Sequence, residues 1–239
     1  MSGFRPRFFP ALSTIAVVLV CGALGLWQLQ RLEWKRGLIA QREAAMTAPP
    51  AAPPQTREEA RSREFHRIVG EGAFHHDKEI LLNAIGPKGG TGFDVLTPLS
   101  EAGGRTLFVN RGFVPSELKD PAKRAAGQLA GTVRVSGLLR LPPEQKPNWF
   151  VPDNSVGRGD WFWIDLPAMG AADGLANVAP FYIEADATPN PGGWPRGGVT
   201  PLALSNDHLQ YAITWFSLAV LAIVIYLLSQ RRGQGQDQR

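Results

Sequence analysis

Four residues where the last apolar stretch begins have the types and spacing for ligand chemistry. His208, Tyr211, Ala212 and Trp215 fall within about 60° of one another when wound at 100° per residue. The histidine stands at the head of the stretch above two aromatic rings, with a small residue leaving space between them. The positive end of a helix disfavours imidazolium, so a neutral ring with a lone pair to give is expected, and that is what a haem iron takes. The same spacing also describes a cap followed by two aromatic belt residues at a membrane surface, and spacing alone leaves both readings open. A second trio, Trp27, Arg31 and Trp34, recurs at i, i+4, i+7. It reads either as an aromatic belt with a snorkelling arginine or as a cation placed to meet an acidic group at the depth of His208.

Other candidates carry less. His75-His76-Asp77 has no third ligand at a recognisable spacing, and a solvated loop before a strand explains it. Gly86-Pro87-Lys88-Gly89-Gly90-Thr91-Gly92 lies between two strand patterns with no helix to supply a dipole, so it reads as a turn. Asn110-Arg111-Gly112 is placed at a strand end and is the candidate for part of a partner surface. No Gly-x-Ser-x-Gly, His-Glu-x-x-His or phosphate-loop pattern is present, so the sequence offers no catalytic constellation. The single cysteine, Cys21, excludes an intramolecular disulfide and a Cys-x-x-Cys redox motif.

The elements that position these residues follow from hydropathy and charge. Leu209 to Gln230 gives 22 uncharged residues, about 33 Å as a helix and enough to cross a hydrocarbon core. Asp207 with Gln210 fits a capping pattern, with Asn206 and Ser205 as alternatives. Phe8 to Gln30 gives a second run of 23, longer than a signal-peptide core, and it passes directly into a helical Trp-Gln-Leu-Gln-Arg pattern. An uncleaved anchor is expected, with Cys21, Gly22 and Gly25 letting another helix approach.

Charge sets the topology. The net charge is +4, yet residues 31–207 hold 20 Lys+Arg and 20 Asp+Glu. The excess sits in Arg5, Arg7, Arg231, Arg232 and Arg239, which points to membrane topology and excludes a nucleic-acid surface. Arg31, Lys35, Arg36 and Arg42 argue for the reverse orientation of the first span, but the rule weakens for a long translocated loop. Arg231 and Arg232 place the C-terminus inside, and two spans then place the N-terminus inside too. The expected organisation is a cytoplasmic N-terminus over 1–7, a first span over 8–30 and a juxtamembrane helix with a Pro-rich linker over 31–63. An extracytoplasmic mainly-β domain over 64–207, a second span over 208–230 and a cytoplasmic basic tail over 231–239 follow.

Between the linker and the second span, strand signals recur between Gly, Pro and Asn breaks. They cover Phe65–Gly70, Glu79–Ala84, Gly92–Leu99, Arg105–Val114, Thr132–Leu141, Trp161–Asp165 and Phe181–Ala185. Such spacing predicts a mainly antiparallel sheet closed or folded on itself, a barrel or sandwich, with short helices near Pro115–Ala130 and Pro167–Ala176. The fold class is thus an α+β membrane protein, two transmembrane helices flanking one β domain.

Five ordered motifs bring a family resemblance with them. They are Leu26-Trp27-Gln28-Leu29-Gln30-Arg31-Leu32-Glu33-Trp34-Lys35, Gly92-Phe93-Asp94-Val95-Leu96-Thr97-Pro98-Leu99 and Phe108-Val109-Asn110-Arg111-Gly112-Phe113-Val114-Pro115. The others are Trp161-Phe162-Trp163-Ile164-Asp165-Leu166-Pro167-Ala168-Met169 and Asn206-Asp207-His208-Leu209-Gln210-Tyr211-Ala212-Ile213-Thr214-Trp215-Phe216. Together, over about residues 22–225, they resemble the Surfeit locus protein family of cytochrome c oxidase assembly factors. The resemblance implies a two-span inner-membrane protein, not an enzyme, that binds haem a as cargo and assists its insertion into oxidase subunit I. It implies His208 as the iron ligand. Tyr211 and Trp215 would pack the macrocycle, and Arg31, beside Trp27, would meet a propionate. Subunit I, haem A synthase and the lipid bilayer are the implied partners. Where the family pattern has Asn-Asn-His, this chain has Asn206-Asp207-His208. The short N-terminus lacks an Arg/Ser-rich transit peptide, so a bacterial inner membrane is expected. The rival reading is a protein scaffold that holds subunit I or haem A synthase without binding haem. A membrane-anchored periplasmic enzyme is a third.

Overall fold

A computed structural model describes residues 8–87, 89–198 and 205–234. The charges used for topology at Arg5, Arg7, Asp237 and Arg239 lie outside the described residues, as do the side chains of Arg231 and Arg232. The chain divides into two compact units, Met1–Gln41 with Ala203–Arg239, and Arg42–Leu202.

The first unit is helical. Helix α1 spans Phe8–Thr47, and the last helix, α4, spans His208–Gln234. Both are long and apolar enough to cross a membrane. The first helix runs on through the charged Arg31–Arg42 region because nothing there breaks it. It stops at Thr47, just before Pro49 and Pro50, which cannot continue a helix.

The second unit is a five-stranded barrel. After a short helix α2 (Arg57–Ser62), capped by the Thr56 hydroxyl accepting from the Glu59 N–H, the strands are β1 (Arg67–Phe74), β2 (Ile80–Ile85), β3 (Thr91–Ser100), β4 (Thr106–Pro115) and β5 (Thr132–Arg140). Helix α3 (Leu166–Ala172) precedes β6 (Val178–Ala185). The sheet order is β1-β5-β6-β4-β3-β2, and β1 also pairs with β3 through Ala73↔Ser100 and Phe74↔Leu99, which closes the ring and leaves β2 outside it. All pairs are antiparallel except β4 with β6.

Strand alternation divides the apolar residues between two faces. Leu107 and Val109 of β4, Phe181 and Ile183 of β6, and Leu99 of β3 fill the barrel, while Phe108, Tyr182 and Leu96 point out from it. Trp161, Ile164, Leu166 and Met169 cover that outer face. As a result β4 is buried on both sides from Thr106 to Val114.

Two expectations are corrected. Trp161–Asp165 is not a strand: Trp161 makes an isolated bridge to Leu82, and the Asn154 side chain takes up the N–H groups of Phe162 and Trp163. Asp165 then caps α3 by accepting from the Ala168 N–H at 3.1 Å. A ladder would send Trp161 and Ile164 to opposite faces, and both are needed over one. The first strand begins at Arg67 and not at Phe65, because Phe65 adopts a positive φ of 67° that a strand cannot contain.

Candidate functional site

The helical unit is built on two matching stripes. On α1 the buried residues are Cys21, Gly25, Gln28 and Leu32, spaced four, three and four apart. On α4 the same spacing runs through His208, Ala212, Trp215 and Ala219, with the two alanines buried and the other two half-buried. Small residues on both sides let the helices approach: a Cβ on Gly25 would come within 2.7 Å of the Phe216 ring. The helices run antiparallel, since Gln28 meets His208 while Pro10–Val17 lie beside Ala222–Ser229.

At the head of this seam the His208 Nδ1 and Gln28 Oε1 atoms are 2.7 Å apart. An amide oxygen only accepts, so Nδ1 donates the proton, and in the neutral ring Nε2 keeps the lone pair. The ring is thereby fixed in one tautomer and one orientation. This is the arrangement in which a histidine ligates a metal while its other ring nitrogen is held by an outer partner. The Asp207 carbonyl accepts from the Tyr211 N–H, which places Asp207 at the cap position, and its carboxylate accepts from the Ser205 hydroxyl at 2.6 Å.

Of the residues expected around His208, the structure brings Trp215 onto the same stripe and leaves Tyr211 56 % exposed on the flank. Arg31 sits between Trp27 and Trp34, its guanidinium 6.0 and 4.8 Å from the two ring centroids. That trio lies about 60–120° around α1 from Gln28, off the line of the residue that meets His208. Gln28 was not singled out from the sequence. Its signal was there to read: a polar residue inside an uncharged run, on the stripe of Cys21 and Gly25.

The expected strand-end surface at Asn110, Arg111 and Gly112 is corrected. The three lie in the middle of β4 and are buried, with Asn110 at 6 % and Arg111 at 2 % exposure. The Asn110 Oδ1 accepts from the Gly112 N–H at 2.9 Å. Gly112 has φ 105° and meets the Arg196 carbonyl so closely that no side chain fits. On the outer face, Glu184 pairs with Arg140 at 2.6 Å. Burial pushes the nearby Asp94 carboxyl up to about 6, with the Glu184 charge adding and the Asn110 amide opposing. The two adjacent histidines are also engaged: His75 Nε2 lies 2.7 Å from the Ser100 hydroxyl, and His76 Nε2 lies 3.0 Å from the Leu129 carbonyl. Among the described residues no cluster of three His, Cys, Asp or Glu side chains is placed to hold a metal ion.

Comparison with known proteins places this geometry in a lineage. The model of the SURF1 family matches residues 15–220. A SURF1-like protein of Monosiga brevicollis is 37% identical over 92% of this chain and 87% of its own length. Surfeit locus protein 1 of Mus musculus is 36% identical over 87% of this chain and 71% of its own. The Homo sapiens protein of that name is 34% identical over 88% and 74%.

Proposed function

The chain belongs to the SURF1 family, and from that premise we propose that it is a non-enzymatic assembly factor for cytochrome c oxidase, held by α1 and α4 in a bacterial inner membrane. Both termini lie in the cytoplasm and the barrel in the periplasm. Its cargo is haem a, which it receives near haem A synthase and passes to oxidase subunit I. His208 is the iron ligand. The observation that carries this assignment is the bond from His208 Nδ1 to Gln28 Oε1, which directs the lone pair to Nε2 of a half-exposed ring at the helix start. Tyr211 and Trp215 supply aromatic surface next to it for the macrocycle. Arg31, already held over Trp27 and Trp34, is the cation for a propionate.

One feature favours the scaffold reading, in which the chain holds subunit I or haem A synthase without taking haem itself. Trp149 and Phe150 stack at 3.7 Å on the barrel unit while 80% and 72% exposed, a pair with contact surface to offer a protein partner.

The visible spectrum of the purified protein, co-expressed with haem A synthase, separates the two. Haem a bound to the wild type, absent from His208→Ala and reduced about tenfold or more in Gln28→Leu is the expected result. Haem absent from the wild type with subunit I still co-purifying would instead establish the scaffold.

A further inference from the structure

The inward-facing side of β4 carries a charge that pairs with no acid among the described residues. Arg111 is 2% exposed, and the Phe74 ring covers its guanidinium at 4.9 Å. Its Nη2 donates to the Gly127 carbonyl and to Asn190 Oδ1 at 3.2 Å, and its Nη1 lies 3.4 Å from His76 Nδ1. All of these partners are neutral: burial, with the Arg111 charge adding, pulls His76 below its usual range. Among the described residues no carboxylate lies within ion-pair distance of Arg111. The acid that acts on it from a distance, Glu79, is taken by Arg124 through both oxygens, the two side chains only 3% and 1% exposed. Burial lowers Arg111 only to about 10, so it stays charged at neutral pH. A buried cation with none but dipolar partners is costly, and a structure keeps one where an anion comes to it.

Arg111 also forms part of the wall of a cavity of about 150 Å³, together with Phe74, Val133, Val135, Ser136 and Asn190. The acid in that wall, Asp186, is occupied. It accepts from Arg67 at 2.9 Å and from the Thr188 N–H and hydroxyl at 3.0 and 2.5 Å, which together help hold its pKa below the usual carboxylate range against the opposing effect of burial. Arg134, also lining the cavity, is exposed and adds a second positive charge. At about 30 Å³ per water, the space equals roughly five water molecules. That suits one planar charged group with two or three carbons behind it.

We propose that this cavity is a carboxylate-binding site, with the Arg111 guanidinium as the charge partner and Phe74, Val133 and Val135 as the apolar floor. A planar fork of N–H donors matches a carboxylate better than it matches a neutral amide. The carboxylate comes either from a free short-chain acid or from the C-terminus of a polypeptide, and the site is independent of the haem reading given to His208.

The test uses the full-length protein in detergent, titrated by calorimetry and by carbon NMR with labelled propionate and with propionamide. In parallel it is titrated with tetra-alanine bearing a free or an amidated C-terminus. Saturable binding of propionate but not its amide supports the site and names a small acid as its ligand. Binding of the free-acid peptide alone supports it and names a chain terminus. In either case Arg111→Gln weakens binding by about tenfold to a hundredfold. Val135→Phe, which fills the cavity with Arg111 intact, must abolish it too, and this second variant decides the matter if Arg111→Gln does not fold. The proposal is overturned if neither acid binds, if acid and amide bind alike, or if a folded variant binds as the wild type does.

Discussion

Along α1 and α4 most large apolar side chains face outward, Leu19 at 66 % and Val220 at 60 % exposure, while Cys21, Gly25, Leu32, Ala212 and Ala219 lie inside with Gln28 beside His208. In the barrel the order is reversed: Phe108, Phe181 and Leu139 are fully buried. Where the surroundings are hydrocarbon, burying a leucine between helices gains little, and association rests on close backbone approach and on hydrogen bonds across the seam. In water the same leucine stabilises by being removed from solvent. The two patterns in one chain therefore support the membrane placement proposed for the helices and an aqueous setting for the barrel. They also teach where polar residues carry meaning. Between the helices a single glutamine orients a single histidine. In the barrel Glu79 pairs with Arg124 and Glu184 with Arg140, while Arg111 is, among the described residues, a buried cation without an acid.

The comparison is broken most severely at the buried ion pair of Glu79 with Arg124. Glu79→Gln leaves a buried guanidinium without its counter-charge, so barrel unfolding in urea should shift by about 3–5 kcal/mol. The haem binding proposed for the helical unit should persist under native conditions. A shift below about 1 kcal/mol would mean that the pair is solvated and that the barrel does not treat charge as described.

A smaller effect is expected in the seam. Gly25→Leu drives a side chain into the Phe216 ring and should cost the helical pair about 1–3 kcal/mol. Parting the helices there removes Gln28 from His208, so the proposed haem binding should fall together with it, read from the same visible spectrum. Full haem retention would show that the Gln28 bond does not position the ligand.

The mildest test is titration of Asp94. Its folded pKa, about 6, exceeds its ordinary value of 3.8, so the folded state binds the extra proton between those limits. Its contribution to stability is complete below about pH 4 and is lost as pH rises through 6. Asp94→Asn should therefore raise stability at pH 7.5 by on the order of 2 kcal/mol and flatten the wild-type decline between pH 4 and 6. Thermal unfolding followed across that range would reveal an unchanged slope if Asp94 were hydrated in the folded state.

Six of the seven expected strands are found, legible as short runs between Gly, Pro and Asn breaks; some, such as Thr132–Arg140, also alternate, since a half-buried strand writes its two faces into every second residue. The seventh, Trp161–Asp165, has the composition of a strand, yet the demand that Trp161 and Ile164 cover the same outer face of the sheet overrode it. Asn110-Arg111-Gly112 reads as a polar break at a strand end because polar residues seldom lie in the centre of a strand buried on both sides. Only the closure of β1 on β3 and the cover over the outer face put it inside.

What the sequence alone determined was local or additive: two apolar helices, the small residues along their inner stripes, the breaks between strands, and the turn that starts α4 at His208. Each depends on residues within a few positions of one another, where periodicity and backbone propensity suffice. Tertiary structure decided which distant residues meet. Gln28 and His208 are 180 residues apart, Glu79 and Arg124 are 45 apart, and the Arg111 cavity joins residues from Phe74 to Asn190. No spacing rule reaches that far, because such pairs are set by how helices and strands pack and not by the chain between them.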